Sequence, residues 1–270
     1  MFGPFGEAIL LGVVQGLTEF LPISSDGHLA LAELLFELDE GGLTFNVMLH
    51  AGTLIATLIV LRQAVGHAVA AGVPALVRPS RFKESSAGRD ALVVLLASLP
   101  TAAMGLLLRD AVSHWTKSPL VIGLGFLGTT VMLLVAQFSP RGEREQPSVL
   151  GALLVGVAQG FAVLPGLSRS GSTIAVLLWL GVRPDRAFTL SMLISLPTVL
   201  GAILLETRHA LGESFPVAVA LVGALVALGS GVVALLFLRR IVMLGRFGWF
   251  ALWVGPLALA TIAMGQSWPG

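Results

Sequence analysis

The sequence predicts an all-α polytopic membrane protein. Six transmembrane helices and two re-entrant helix–loop–helix hairpins form an inverted-topology repeat. Composition, two broken apolar regions and the distribution of basic residues predict it. Of 270 residues, 56% are hydrophobic and 11% charged, and the mean hydropathy is +0.92. A soluble domain carries about 25% charged residues, so this chain cannot cover a water-facing surface. An ordinary soluble enzyme and a disordered chain are both excluded. The net charge of +1 leaves no polybasic face for nucleic acid. The absence of cysteine excludes disulfides, thiolate metal sites and a cysteine nucleophile. The N-terminus has no basic stretch and Glu7 interrupts it early, so no cleaved signal peptide is expected.

A membrane helix needs about 20 mostly apolar residues. Six stretches qualify, at about 46–62, 89–108, 119–138, 186–206, 214–238 and 247–266. Regions 7–37 and 149–181 are also apolar but are broken near their middles by LPISSDGH (21–28) and LPGLSRSGST (164–173). Each half is too short to cross alone, so each region reads as a hairpin. Non-helical backbone at membrane depth persists only where protein or a wet cavity satisfies it.

Charge counting separates hairpins from kinked spans. With both regions re-entrant, one face carries 12 basic residues: Arg62, Arg78, Arg81, Lys83, Arg89, Arg141, Arg144, Arg183, Arg186, Arg239, Arg240 and Arg246. The other carries 3: Arg109, Lys117 and Arg208. If both regions crossed fully, five of the 12 and one of the 3 would change sides, giving 8 against 7. The positive-inside rule favours the first count and puts its basic face in the cytoplasm. The N-terminus and first hairpin then lie on the outer face.

The broken regions resemble each other. Shifted by 144 residues, LLGVVQGLTEFLPISSDGH (10–28) lies on LVGVAQGFAVLPGLSRSGS (154–172). Each copy, about 1–144 and 145–270, is a hairpin followed by three spans within a single membrane domain. Three is odd, so the second copy is inverted. Such a repeat places a site at the midplane where its broken elements meet.

The polar residues that reach that depth are Gln15, Glu19, Ser24, Ser25, Asp26 and His28 in the first region. Ser168, Arg169, Ser170, Ser172 and Thr173 lie in the second. A charge at the bilayer centre costs about 2.5–3.5 kcal/mol on insertion scales, so these groups need partners. Gln15 and Glu19 share a helix face. Ser25 and His28, three apart, meet if the second half-helix starts near Ser25. Capped N-termini of the two second half-helices offer N–H groups and positive dipole ends to an anion. Arg169 adds a planar fork suited to phosphate oxygens. The set reads as phosphoryl transfer. Glu19, with Gln15 as helper, ligates Mg²⁺ or Ca²⁺. Ser25 attacks with His28 as base, or His28 attacks, or it activates water. The bland readings are that Glu19 and Arg169 merely neutralise each other and that the serines merely cap helices. His50 is expected in a structural hydrogen bond near Thr53. Trp115, Trp179, Trp249, Trp253 and Trp268 are expected as interface anchors.

QGLTEFLPISSDGH (15–28) and PGLSRSGST (165–173) resemble the two signature motifs of the BacA/UppP-type undecaprenyl-diphosphate phosphatase family. The resemblance implies removal of one phosphate from a C55 polyprenyl diphosphate at the outer, periplasmic face of the bacterial plasma membrane. That recycles the carrier for peptidoglycan and other wall polymers. It also implies dependence on a divalent cation, Mg²⁺ or Ca²⁺, and a link to bacitracin tolerance. Glu19 matches the family's essential acid, Ser25 its proposed nucleophile, His28 its catalytic histidine and Arg169 its phosphate-binding arginine. Ser24, Ser168, Ser170 and Thr173 match the polar residues around them. Gln15 stands where the family often has Glu, which removes one carboxylate ligand, and Asp26 stands where Thr or Ser is common, which is expected to restore that charge as a second metal helper. The expected partners are the polyprenyl diphosphate and membrane lipids, with a homodimer left open and no nucleic acid. The rival functions are a polyprenyl-phosphate flippase using the same anion site and, ranked below it, an ion channel.

Overall fold

The computed structural model describes residues 3–36, 42–210 and 216–267. Among them the regular structure is helical: α1 (Pro4–Phe20), α2 (Ser25–Phe36), α3 (Gly42–Val60), α4 (Arg62–Val77), α5 (Ser86–Trp115), α6 (Pro119–Gln137), α7 (Val149–Phe161), α8 (Arg169–Trp179), α9 (Pro184–Ala210), α10 (Val217–Met243) and α11 (Ala251–Ser267). Short 3₁₀ helices cover Pro79–Lys83 and Phe247–Phe250.

Among the described residues five helices are long and apolar enough to cross a bilayer: α5, α6, α9, α10 and α11, the last with its preceding 3₁₀ turn. The bent pair α3–α4 makes a sixth. In their most apolar windows only 22–44% of residues are buried inside the protein. Leu107, Leu225 and Leu252 stand exposed. Water would penalise so much bare apolar surface, whereas lipid covers it. The chain is a multi-pass membrane protein.

One segment departs from the sequence expectation. Residues 63–88 read as a basic loop, but the chain bends by 86° after α3 and continues as α4. Val69, Val73, Leu76 and Val77 are exposed on α4, while Gly72 and Ala75 are buried. A Cβ on Gly72 would stand 2.8 Å from the Ala91 Cβ of α5. The apolar stretch between Arg62 and Arg78 is too short for a span, so hydropathy at the length of a crossing does not reveal the helix.

The two broken regions sit in the middle of the molecule. The halves of each pack against one another, α1 on α2 and α7 on α8. The outer helix of each also packs on a span of the other half, α1 on α10 and α7 on α5. Small residues permit these close approaches. A Cβ on Gly12 would lie 2.7 Å from the Gly223 carbonyl oxygen, and one on Gly156 would lie 2.7 Å from the Ala97 Cα. A hydroxyl donates to the same carbonyl position in both halves: Ser230 to Gly12 at 3.3 Å and Thr101 to Gly156 at 2.9 Å. The main core gathers Phe126 of α6, Ile174 of α8 and Leu235 and Leu238 of α10 around Phe20 and Ile23 of the first break.

Candidate active site

Each break has a local cause. Pro22 lacks an N–H and disfavours helical geometry in the residue before it, and Leu21 is extended at φ −62°, ψ 143°. Ser24 is the one described non-glycine residue with positive φ, at 71°. Its hydroxyl accepts from the Gly27 N–H at 3.4 Å and its carbonyl accepts from the His28 N–H at 3.3 Å. In the second region Gly166 adopts φ 87°. Ser168 caps α8 by accepting from the Gly171 N–H at 3.1 Å. Thr129 of α6 staples this break, accepting from the Ser168 N–H at 2.9 Å and donating to the Gly166 carbonyl at 2.8 Å.

The breaks press on each other. A Cβ on Gly27 would stand 2.7 Å from the Phe126 ring and 2.9 Å from the Gly166 Cα. The Ser170 hydroxyl donates to the Leu21 carbonyl at 3.3 Å. The N-termini of α2 and α8 therefore line one small polar cavity, with Ser24, Ser25, Asp26, Ser168, Arg169, Thr18 and Glu19 in its wall. The first N–H groups of each helix have no intrahelical acceptor.

Three side chains, from α1, α2 and α8, meet on the carboxylate of Glu19. Arg169 pairs with Glu19 Oε1. Ser25 donates to Glu19 Oε2 at 2.8 Å, and Gln15 donates to the same oxygen at 3.1 Å. The Glu19 side chain is 4% exposed and that of Arg169 is 21%, so the guanidinium reaches toward open space while the carboxylate does not. Arg169 also lines a cavity of about 440 Å³ with Asp26, His50, Thr101, Gln159 and Thr198. Asp26 is exposed into that space. A second small cavity adjoins the ion pair and is lined by Thr53, Thr57, Ser170, Thr173, Ser191 and Ser195. Thr173 and Ser191 share a hydrogen bond of 2.6 Å.

Glu19, Ser25, Arg169 and Gln15 are thus brought together, but His28 does not join them. Its Nδ1 meets the Ser24 carbonyl at 2.8 Å, and its Nε2 accepts from the Trp253 indole N–H at 3.0 Å. The ring packs edge-on to Phe126 at 5.2 Å. A carbonyl on one nitrogen and an N–H on the other fit a neutral ring protonated at Nδ1. Ser25, whose expected base is His28, donates to Glu19 instead. Ser168, Ser170 and Thr173 share cavity walls with Arg169, with hydroxyls already engaged by neighbouring protein groups. Ser168 bonds Gly171, Ser170 bonds Leu21, and Thr173 donates to the Arg169 carbonyl at 2.9 Å. Trp253, expected only as an interface anchor, contacts a site residue; Trp268 lies outside the described residues.

His50 is hydrogen-bonded beside Thr53 as expected, and its ring adds a bond the sequence did not suggest. Thr53 donates to its main-chain carbonyl at 3.0 Å, but its ring turns to Gln15, with Nδ1 3.0 Å from the amide nitrogen. Thr129, Ser191 and Gln159 join the site without belonging to the expected set, although polar residues inside apolar spans are a usable signal.

Among the described residues no three His, Asp or Glu side chains cluster to hold a metal. Both Glu19 oxygens are already engaged, Asp26 is a second carboxylate on the same small cavity, and Gln15 Oε1 is buried without a partner. These hard oxygens are of the type that would suit a cation such as Mg²⁺ that keeps most of its waters. They do not fit an all-protein cage.

The family described as "Bacitracin resistance protein BacA" matches residues 8–260. The undecaprenyl-diphosphatase of Carboxydothermus hydrogenoformans is 34% identical over 265 residues, covering 96% of each chain. That of Desulfosudis oleivorans is 38% identical over 268 residues, covering 96% of this chain and 98% of the relative. That of Korarchaeum cryptofilum is 34% identical over 261 residues, with the same coverage. A match over nearly the whole length, with both signature segments meeting at one buried ion pair, means that the chain belongs to the BacA family.

Proposed function

We propose that the protein hydrolyses undecaprenyl diphosphate to undecaprenyl phosphate and inorganic phosphate, at a site open to the outer face of the plasma membrane. The observation that carries this reading is the single carboxylate of Glu19 shared by Arg169, Ser25 and Gln15. Arg169 and the N-termini of α2 and α8 hold the phosphates. Ser25 Oγ attacks the terminal phosphorus. The bond from phosphorus to the bridging oxygen breaks, and its electron pair leaves on the lipid monophosphate. The Ser25 proton passes along the existing 2.8 Å hydrogen bond to Glu19. Water then hydrolyses the phosphoserine, releasing phosphate and restoring the hydroxyl. His28 positions the first break through the Ser24 carbonyl. Glu19 and Asp26 would hold a divalent cation, which would supply charge neutralisation on the phosphates.

The orientation rests on the 12-to-3 distribution of basic residues, and bacitracin tolerance follows from recycling of the carrier. The inverted repeat is supported by the matching contacts of α1 with α10 and α7 with α5. The parallel bonds of Ser230 to Gly12 and Thr101 to Gly156 support it as well. That architecture also suits the rival reading, a polyprenyl-phosphate flippase.

Phosphate release in detergent separates the two, because no membrane remains to transport across. Purified protein is assayed on farnesyl and undecaprenyl diphosphate, with and without EDTA, beside Arg169→Ala and Glu19→Ala. The phosphatase releases phosphate in a metal-dependent way and both variants lose it. No release from folded, lipid-supplemented protein would sink the enzyme reading and leave transport. Orientation is tested with single cysteines in this cysteine-free chain. A membrane-impermeant maleimide added to intact cells labels Lys117→Cys and spares Arg81→Cys; the reverse pattern overturns the orientation.

A further inference from the structure

The Gln15 side chain donates in two directions. Its Nε2 lies 3.1 Å from Glu19 Oε2 and 3.0 Å from His50 Nδ1. An amide nitrogen carries two hydrogens and accepts none. His50 Nδ1 is therefore the acceptor, and the neutral ring carries its proton on Nε2. His50 lines the 440 Å³ cavity with Asp26 and Arg169. Among the described residues no protein group is bonded to Nε2, so this N–H is offered to whatever occupies the cavity.

The second half of the chain shows what the same position needs structurally. Gln159 is the counterpart of Gln15 under the 144-residue shift and is equally buried. It donates to Thr198 of α9 at 2.8 Å and to Thr101 at 3.2 Å. A hydroxyl on a neighbouring span is enough to hold such a glutamine. An imidazole at residue 50 adds a donor aimed away from the glutamine.

We propose that His50 is a second phosphate ligand, its Nε2–H binding an oxygen of the diphosphate group beside Arg169. This rests on the phosphatase reading. A diphosphate presents two anionic groups, and one guanidinium already paired with Glu19 serves them incompletely. His50 then touches substrate directly, and Gln15 positions it by fixing its tautomer while steadying Glu19.

The test compares the parent with His50→Thr and His50→Gln. Threonine reproduces the partner that Gln159 has and removes the cavity-facing donor; glutamine keeps an N–H donor. Phosphate release from farnesyl diphosphate, inhibition by inorganic diphosphate and thermal unfolding are measured in the same detergent. Loss of one preorganised donor costs about 10²-fold or more in rate. His50→Thr is expected to lose about 100-fold in kcat/KM, with its inhibition constant for inorganic diphosphate raised at least about 10-fold and its melting temperature unchanged. His50→Gln stays within about 10-fold of the parent. A His50→Thr enzyme within about 3-fold of an active parent overturns the inference and leaves the phosphatase reading standing. Equal losses in both variants with parallel losses of melting temperature also overturn it, because they mark a packing role. A parent that releases no phosphate removes the phosphatase reading and this role together.

Discussion

Dismantling the Arg169–Glu19 pair one side at a time, and then completely, separates charge balance from catalysis. Arg169→Ala leaves a carboxylate whose side chain is 4% exposed with only Ser25 and Gln15 as donors. Removing one partner of a buried pair costs about 3–5 kcal/mol. Arg169 itself is 21% exposed, which allows water in and places the loss at the lower end, about 3 kcal/mol. Glu19→Gln strands a guanidinium that faces the large cavity and can hydrate, so it costs about 1–2 kcal/mol. The double variant Glu19→Gln/Arg169→Met buries no charge, and such replacements are often neutral. Its stability returns to within about 1 kcal/mol of the parent. Activity follows another rule. A guanidinium on a transferring phosphoryl group is worth about 10³–10⁵ in kcat, so Arg169→Ala and the double variant both fall at least about 10³-fold. Phosphate release from farnesyl diphosphate is read beside thermal unfolding on the same preparations. A double variant as stable as the parent and within about 10-fold of its rate would refute the argument and reduce the pair to charge balance.

Other expectations concern single residues. Ser25→Ala loses one hydrogen bond, about 1 kcal/mol, yet drops phosphate release at least about 10³-fold; near-parental turnover would make water the attacking group. Ser24→Gly unfolds within about 1 kcal/mol of the parent, because relief at φ 71° offsets the greater freedom of the unfolded chain. Ser24→Val, β-branched at positive φ, loses about 2 kcal/mol; equal stability of the two variants in chemical denaturation would contradict the strain. On the basic face, Arg183 donates to Asp185 at 3.1 and 2.7 Å, with both side chains exposed. Asp185→Asn therefore loses under about 1 kcal/mol. Salt near 1 M shortens the screening length to about 3 Å and shrinks that loss further; a thermal-unfolding difference that persists unchanged in salt would contradict an exposed ion pair.

Glu19 and Arg169 are recognisable as partners from sequence, since two opposite charges in an apolar chain have few other places to go. Their meeting, 150 residues apart in sequence, follows from two broken helices that face one cavity. Ser25 and His28 illustrate the opposite case. Helical spacing allows them to meet, but Ser25, at the first position of α2, reaches back to α1, and the His28 ring is drawn to Trp253 and Phe126. His50 and Thr129 look like ordinary polar residues inside spans, because their importance comes from neighbours on other helices.

The order of residues along the chain dictates which segments enter the membrane, where two of them break and which polar side chains are carried to depth. These properties depend on local hydropathy and on backbone groups that must be satisfied inside lipid, so they can be read along one chain. The turn of α4 through 86° is a product of packing in three dimensions. So is the division of the two Glu19 oxygens among Ser25, Gln15 and Arg169, and the placing of His50 rather than His28 on the cavity beside Arg169. Those outcomes depend on the direction each side chain takes, which is set by packing partners far away in sequence.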